Sequence, residues 1–153
     1  MSYSNPAGRA PATRRDLLRT AALVVGAVFL LVGVLGFVPG ITSNYGELGA
    51  AGHHSGAMLL GVFQVSVLHN VVHLLFGIAG IALSRTAAGA RSYLIGGGAV
   101  YLVLWLYGLV VDQESAANFV PLNSADNWLH LVLGVGMVAL GVVLGRRRAS
   151  VAA

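Results

Sequence analysis

The sequence predicts an all-α polytopic membrane protein with four transmembrane helices, and three observations carry that reading. Of 153 residues, 57% are hydrophobic and only 9% charged, where an ordinary soluble domain has about 25% charged residues. The apolar residues gather into four runs, each near the roughly 20 residues a membrane span needs. The few charges then sort by sign between successive loops. Four spans with short connections use up the chain and leave no room for a sizeable soluble domain. The absence of cysteine excludes thiolate metal sites, iron–sulfur clusters and thiol nucleophiles. A net charge of +4 would suggest nucleic acid in a soluble protein. Here the basic residues mark membrane faces instead, so no nucleic-acid partner is expected and the lipid bilayer is the first one.

Residues 1–16 are small, polar and basic and read as a flexible cytoplasmic tail. The first span, 20–38, ends at Pro39-Gly40. Arg14-Arg15 before an apolar run resembles a twin-arginine signal, but the run is long for a signal peptide and no small-x-small cleavage site follows, so a retained helix is expected. The remaining spans are 67–84, 94–111 and 127–145, giving one domain over 17–145 and a basic cytoplasmic tail over 146–153. All nine basic residues are Arg, which fits a GC-rich coding bias, so position carries more than residue type. Arg9, Arg14, Arg15 and Arg19 precede span one, Arg85 and Arg91 lie between spans two and three, and Arg146, Arg147 and Arg148 follow span four. Glu47, Asp112, Glu114 and Asp126 fall in the alternate loops, with Asp16 the exception. The positive-inside rule therefore puts both termini in the cytoplasm.

The chain also carries an internal repeat. The run from Gly26 to Phe37 aligns with Gly98 to Leu109, and His69-Asn70-Val71-Val72-His73-Leu74 aligns with Asp126-Asn127-Trp128-Leu129-His130-Leu131. The offsets are 72 and 57 residues, so about 15 residues are inserted in the first outer loop. Both hairpins start on the same side, which makes them parallel repeats about a pseudo-two-fold axis along the membrane normal. The alignment also sets depth. His130 lies sixteen residues before Arg146, about 24 Å of helix, so it sits near the outer interface with His73 at similar height. Ser66 and Asn123 or Ser124 are N-cap types placed to start these helices. Residues 55–65 are too short for a span and suit an interfacial or re-entrant segment folded on the outer end of the bundle.

Within this scheme, Ser66, His69, Asn70, His73, Gly77, Gly80 and Ser84 form one small, polar stripe on the second helix. Asn127, His130, Gly134, Gly141 and Gly145 form its counterpart on the fourth. The simpler reading of the cluster His69, Asn70, His73, Asp126, Asn127 and His130 is interhelical packing, since small residues permit close approach and polar groups bond across interfaces. The sharper reading has His73 and His130 facing a common point, with Gly77 and Gly134 making room for a flat ligand. That ligand is a bis-His haem, a quinone or a proton-handling group. A divalent metal is a further option, with His69, His73, His130 and Asp126 as ligands. His53-His54 reads as a solvated loop, and Tyr101, Trp105 and Tyr107 as packing or interfacial anchors. The Arg146–Arg148 run reads as the topological stop and an anionic-lipid contact. Nothing resembles a phosphate-binding loop, nucleophile elbow or metalloprotease motif.

Three segments carry a family resemblance: Gly33-Val34-Leu35-Gly36-Phe37-Val38-Pro39-Gly40-Ile41-Thr42, the run from Gly61 to Leu74, and the run from Asn118 to His130. With their His-Asn-x-x-His and Asp-Asn-Trp-x-His words, they resemble the domain of unknown function 4383 family of actinobacterial-type membrane proteins, over about Leu17 to Gly145. The resemblance implies a four-helix plasma-membrane protein and carries no catalytic residues. Where members of that family often have Asn-Pro before Leu-His-Asn, this chain has Ser66-Val67, which keeps a cap and loses the proline. The expected role is a non-enzymatic structural or interaction component, with a homo-oligomer or another membrane protein as partner. The alternatives are a redox or cofactor-binding membrane subunit using His73 and His130, and a small lipid- or proton-linked carrier.

Overall fold

The computed structural model describes residues 12–146. Arg9, Arg147, Arg148 and most of both predicted tails lie outside the described residues. The first helix, α1 (Arg14–Leu35), begins ahead of its apolar run because Thr13 and Asp16 form a capping box. Thr13 Oγ1 accepts from Asp16 N–H at 3.2 Å, and the Asp16 carboxylate accepts from Thr13 N–H at 3.1 Å. Two otherwise unpaired backbone donors are satisfied this way. Residues 14–16 therefore belong to the helix and not to a tail.

Among the described residues, the strands all lie in the segment between the first two helices. β1 (Thr42–Ser43), β2 (Met58–Leu59) and β3 (Phe63–Gln64) form an antiparallel sheet in that order, with Thr42 opposite Leu59 and Met58 opposite Gln64. Within residues 55–65, β2 and β3 thus form a tight hairpin. Its turn residues Leu60 and Gly61 have φ of 54° and 70°, and Val62 N–H returns to Leu59 O at 3.1 Å. Ala57, Leu59 and Val65 are buried beneath the sheet against Val32, Leu35, Ile41, Leu48 and Phe63. The Gln64 amide ties the hairpin together, donating to Ser55 O at 2.8 Å and His53 O at 3.1 Å.

The other helices are α2 (Val67–Leu83), α3 (Ala87–Val110) and α4 (Ser124–Gly145). Each starts at a side-chain cap. Ser66 accepts from His69 N–H, Thr86 from Gly89 N–H, and Asn123 from Asp126 N–H. Between Asn123 and Ser124, Asn123 is thus the cap of α4. Because Thr86 starts α3 so soon after α2, Arg91 lies inside α3 and not in a loop between spans.

The helices pack as two antiparallel pairs, α1 on α2 and α3 on α4, joined mainly where α1 meets α3. Leu18, Ala22, Phe29, Ala90, Tyr93, Leu94, Tyr101 and Met137 form the shared core. Large aliphatic side chains instead cover the outside, including Val28 and Leu31 of α1, Leu75 and Ile78 of α2, Val103 of α3 and Val132 of α4. Polar groups inside and hydrocarbon outside is the pattern of a bundle solvated by lipid. Among the described residues, α1, α3 and α4 are long and apolar enough to cross a membrane, while α2 is shorter.

Candidate functional site

The polar stripe predicted on α2 is its buried face: His69, Asn70, His73, Gly77 and Gly80 are all buried. On α4 the buried face holds Asp126, Asn127, His130, Gly134, Met137 and Gly141, with Gly145 only half-buried. Small side chains let the backbones meet, and the polar groups are carried into the interface with them.

Asn70 is 1% exposed and fills the hollow over Gly36, where any Cβ would collide with its amide. Asn127, 6% exposed, does the same over Gly108 on the facing helix of its own pair. One turn inward from each Asn is a histidine, and below that a glycine in backbone contact. A Cβ on Gly77 would lie 2.5 Å from Leu30 N and 2.8 Å from Gly26 O. One on Gly134 would lie 2.8 Å from Leu102 Cδ2 and 3.0 Å from Gly98 O. The room made by Gly77 and Gly134 is therefore occupied by the neighbouring helix of the same hairpin.

The imidazoles are linked through aromatic rings. His69 and His73 rings lie 4.2 Å apart, and His73 packs on Phe29 at 5.6 Å. Phe29 packs on Tyr101 at 5.2 Å, and Tyr101 meets His130 edge-on at 5.1 Å. His73 Nδ1 lies 3.0 Å from the His69 carbonyl. A carbonyl can only accept, so Nδ1 carries a proton, and in the neutral ring Nε2 keeps the lone pair. His69 Nδ1, His130 Nδ1, the Asn70 amide and Asn127 Oδ1 are buried without a hydrogen-bond partner among the described residues.

Asp126 does a different job from the histidines. Its carboxylate accepts from Asn123 N–H at 3.2 Å, closing a capping box at the head of α4, and from Gln64 N–H of β3 at 3.1 Å. Asn123 Nδ2 also donates to Val62 O at 2.7 Å. The sheet is thereby fastened to α4. Among the described residues, no three His, Asp or Glu side chains are grouped so as to hold a metal ion. Elsewhere, His53 and His54 stack on each other at 3.9 Å in the outer loop, and the Tyr107 hydroxyl donates to Ala117 O.

Gly36, Gly108, Phe29 and Gln64 belong to this site and are not evident from the Asn and His words alone. A signal for three of them was present: the 72-residue offset pairs Gly36 with Gly108 and Phe29 with Tyr101. Gln64 has no such signal.

A helical bundle with an aliphatic exterior and a buried Asn/His seam defines the class as a membrane-compatible helical protein. More narrowly, the family model described as Domain of unknown function (DUF4383) matches residues 19–143, and the chain belongs to that family. No curated protein and no solved structure gave a match.

Proposed function

We propose that this protein is a non-enzymatic structural or interaction component of the bacterial plasma membrane. In this reading all four helices cross the bilayer, both termini are cytoplasmic, and two duplicated hairpins are related by a pseudo-two-fold axis. The observation that carries it is the paired seating of Asn70 over Gly36 and Asn127 over Gly108, which packs a buried amide side chain into the same kind of glycine hollow in each hairpin. The duplication is supported by matched contacts at both offsets. Gly26 and Leu30 meet Gly77 as Gly98 and Leu102 meet Gly134, and Phe29 packs on His73 as Tyr101 packs on His130. Phe29 and Tyr101 are equivalent positions that touch each other, as residues beside a two-fold axis do.

The orientation can be tested directly because the chain is free of cysteine. Single cysteines at Ser2, Gly52 and Ala116 in intact cells should give labelling by a membrane-impermeant maleimide at Gly52→Cys and Ala116→Cys and none at Ser2→Cys. Labelling at all three, or only at Ser2→Cys, would overturn the topology.

One observation favours a second reading, a cofactor-binding subunit using His73 and His130. His73 donates Nδ1–H to a backbone carbonyl, the arrangement that orients histidines which ligate metal through the other nitrogen. A Soret band or stoichiometric metal in purified protein, lost in both His73→Ala and His130→Ala, would replace the structural reading. A colourless, metal-free and folded sample supports it.

A further inference from the structure

We infer that the arginine-bearing end of the bundle holds a binding site for the phosphate headgroup of an anionic phospholipid, in the cleft where the starts of α1 and α3 meet the end of α4. The cleft is lined by Arg14, Arg15, Arg91 and Arg146 around a base that includes Leu18 and Leu144. No Asp or Glu lines it among the described residues. The one nearby acid, Asp16, lines the separate cleft between α1 and α2 and is engaged with Thr13.

Two helix starts add to the cationic side chains. Thr13 takes the Asp16 N–H and Thr86 takes the Gly89 N–H. The first two residues of each helix, Arg14 and Arg15 in α1 and Ala87 and Ala88 in α3, line the cleft, and their N–H groups have no acceptor within the helix. Backbone donors at a helix start favour an anion. Arg14 is held in place by one bond to Val143 O at 3.3 Å, and a guanidinium has five donors in all. Arg91 lies along Gly145, where a Cβ would come within 2.7 Å of its Nε.

The mixed lining selects the occupant. A free phosphate gains nothing from an apolar wall, whereas an amphiphile places its headgroup among the guanidiniums and its glycerol and upper acyl carbons against the half-buried Leu144. The phosphate is the shared chemistry, and a lipid is the source that uses both parts. The inference rests on the bundle being embedded in a bilayer, though not on which face is cytoplasmic.

The test is the thermal stability of the full-length protein in neutral detergent, titrated with phosphatidylglycerol, phosphatidylcholine or inorganic phosphate. Phosphatidylglycerol should raise Tm saturably, and the other two should leave it nearly unchanged. Arg15→Gln with Arg146→Gln should keep the lipid-free Tm and weaken the phosphatidylglycerol response by about 25-fold in concentration, roughly fivefold for each arginine. An equal response to phosphatidylcholine, the same response to inorganic phosphate, or an undiminished response in the double variant would each overturn the site. Carbonate extraction of the wild-type membranes separates this from failure of the membrane reading: release of the protein into the supernatant overturns embedding itself, and retention leaves the titration to decide the headgroup site.

Discussion

In the α1–α2 hairpin, Asn70 lies over Gly36 and Gly77 rides on the backbone at Leu30. In the α3–α4 hairpin, Asn127 lies over Gly108 and Gly134 meets the side chain of Leu102. The inner seams match closely, while the outer ends do not. At the third residue of its helix the first hairpin has His69, which turns inward onto His73; the second has Asp126, which closes a capping box and binds Gln64. Residues 36–66 build a three-stranded sheet, whereas 111–123 form only a short connection. In both hairpins the seam residues pack against the neighbouring helix, and the same residue types, Asn and Gly, occupy it. At the helix heads the two hairpins differ: one polar group joins a ring cluster and the other fastens the sheet.

The largest expected effect probes how alike the seams are. Gly77→Leu should prevent the α1–α2 hairpin from closing, because the new Cβ meets backbone at 2.5 Å; a loss of at least about 3 kcal/mol, the upper end for overpacking, should appear as an aggregated or unfolded sample by size exclusion in detergent. Gly134→Ala should cost less, about 1–2 kcal/mol, because the Leu102 side chain at 2.8 Å can turn aside and the backbone contact left, Gly98 O at 3.0 Å, is longer than the one at Gly77. Equal losses from Gly77→Ala and Gly134→Ala would show that the side-chain and backbone contacts resist equally.

A smaller effect tests the difference at the helix heads. Asp126→Ala removes acceptors for two backbone donors and should cost about 2 kcal/mol, with faster hydrogen exchange at the Gln64 amide. Ser66→Ala removes one cap and should cost about 1 kcal/mol without changing Gln64 exchange. The smallest effect has the opposite sign. Leu60 is 64% exposed and held at φ 54°, a left-handed conformation costing a non-glycine residue roughly 1–2 kcal/mol. Leu60→Gly should therefore raise denaturation midpoints slightly, and a clear loss would mean that the leucine side chain makes a contact worth more than the strain.

The helices were legible because lipid-facing segments must be continuously apolar and their buried stripe must be small. Their first turns were less so. Arg14–Arg19 and Ala87–Arg91 are helical because Thr13 and Thr86 cap them, yet arginine and alanine there add nothing to an apolar run. The polar cluster was visible as repeated Asn and His words, but its partners Gly36 and Gly108 emerge only when the 72-residue offset is applied. The outer sheet was not legible at all. Its strands are two residues each, too short for any alternation, and they are held by the Gln64 side chain and by α4, which is distant in sequence.

In the four-span arrangement proposed above, the short polar-faced α2 has a consequence for how the chain would enter a membrane during synthesis. A segment carrying His69, Asn70 and His73 on one face is a poor membrane anchor by itself, since ionisable and amide groups are costly in hydrocarbon. Its glycine-lined partner α1 is made just before it and offers the seam that hides those groups. The two are therefore expected to leave the insertion machinery as a unit, with α1 retained at the exit until α2 arrives. The intervening outer segment would cross while both are still there, so the sheet can be fastened to α4 only after the last helix has followed.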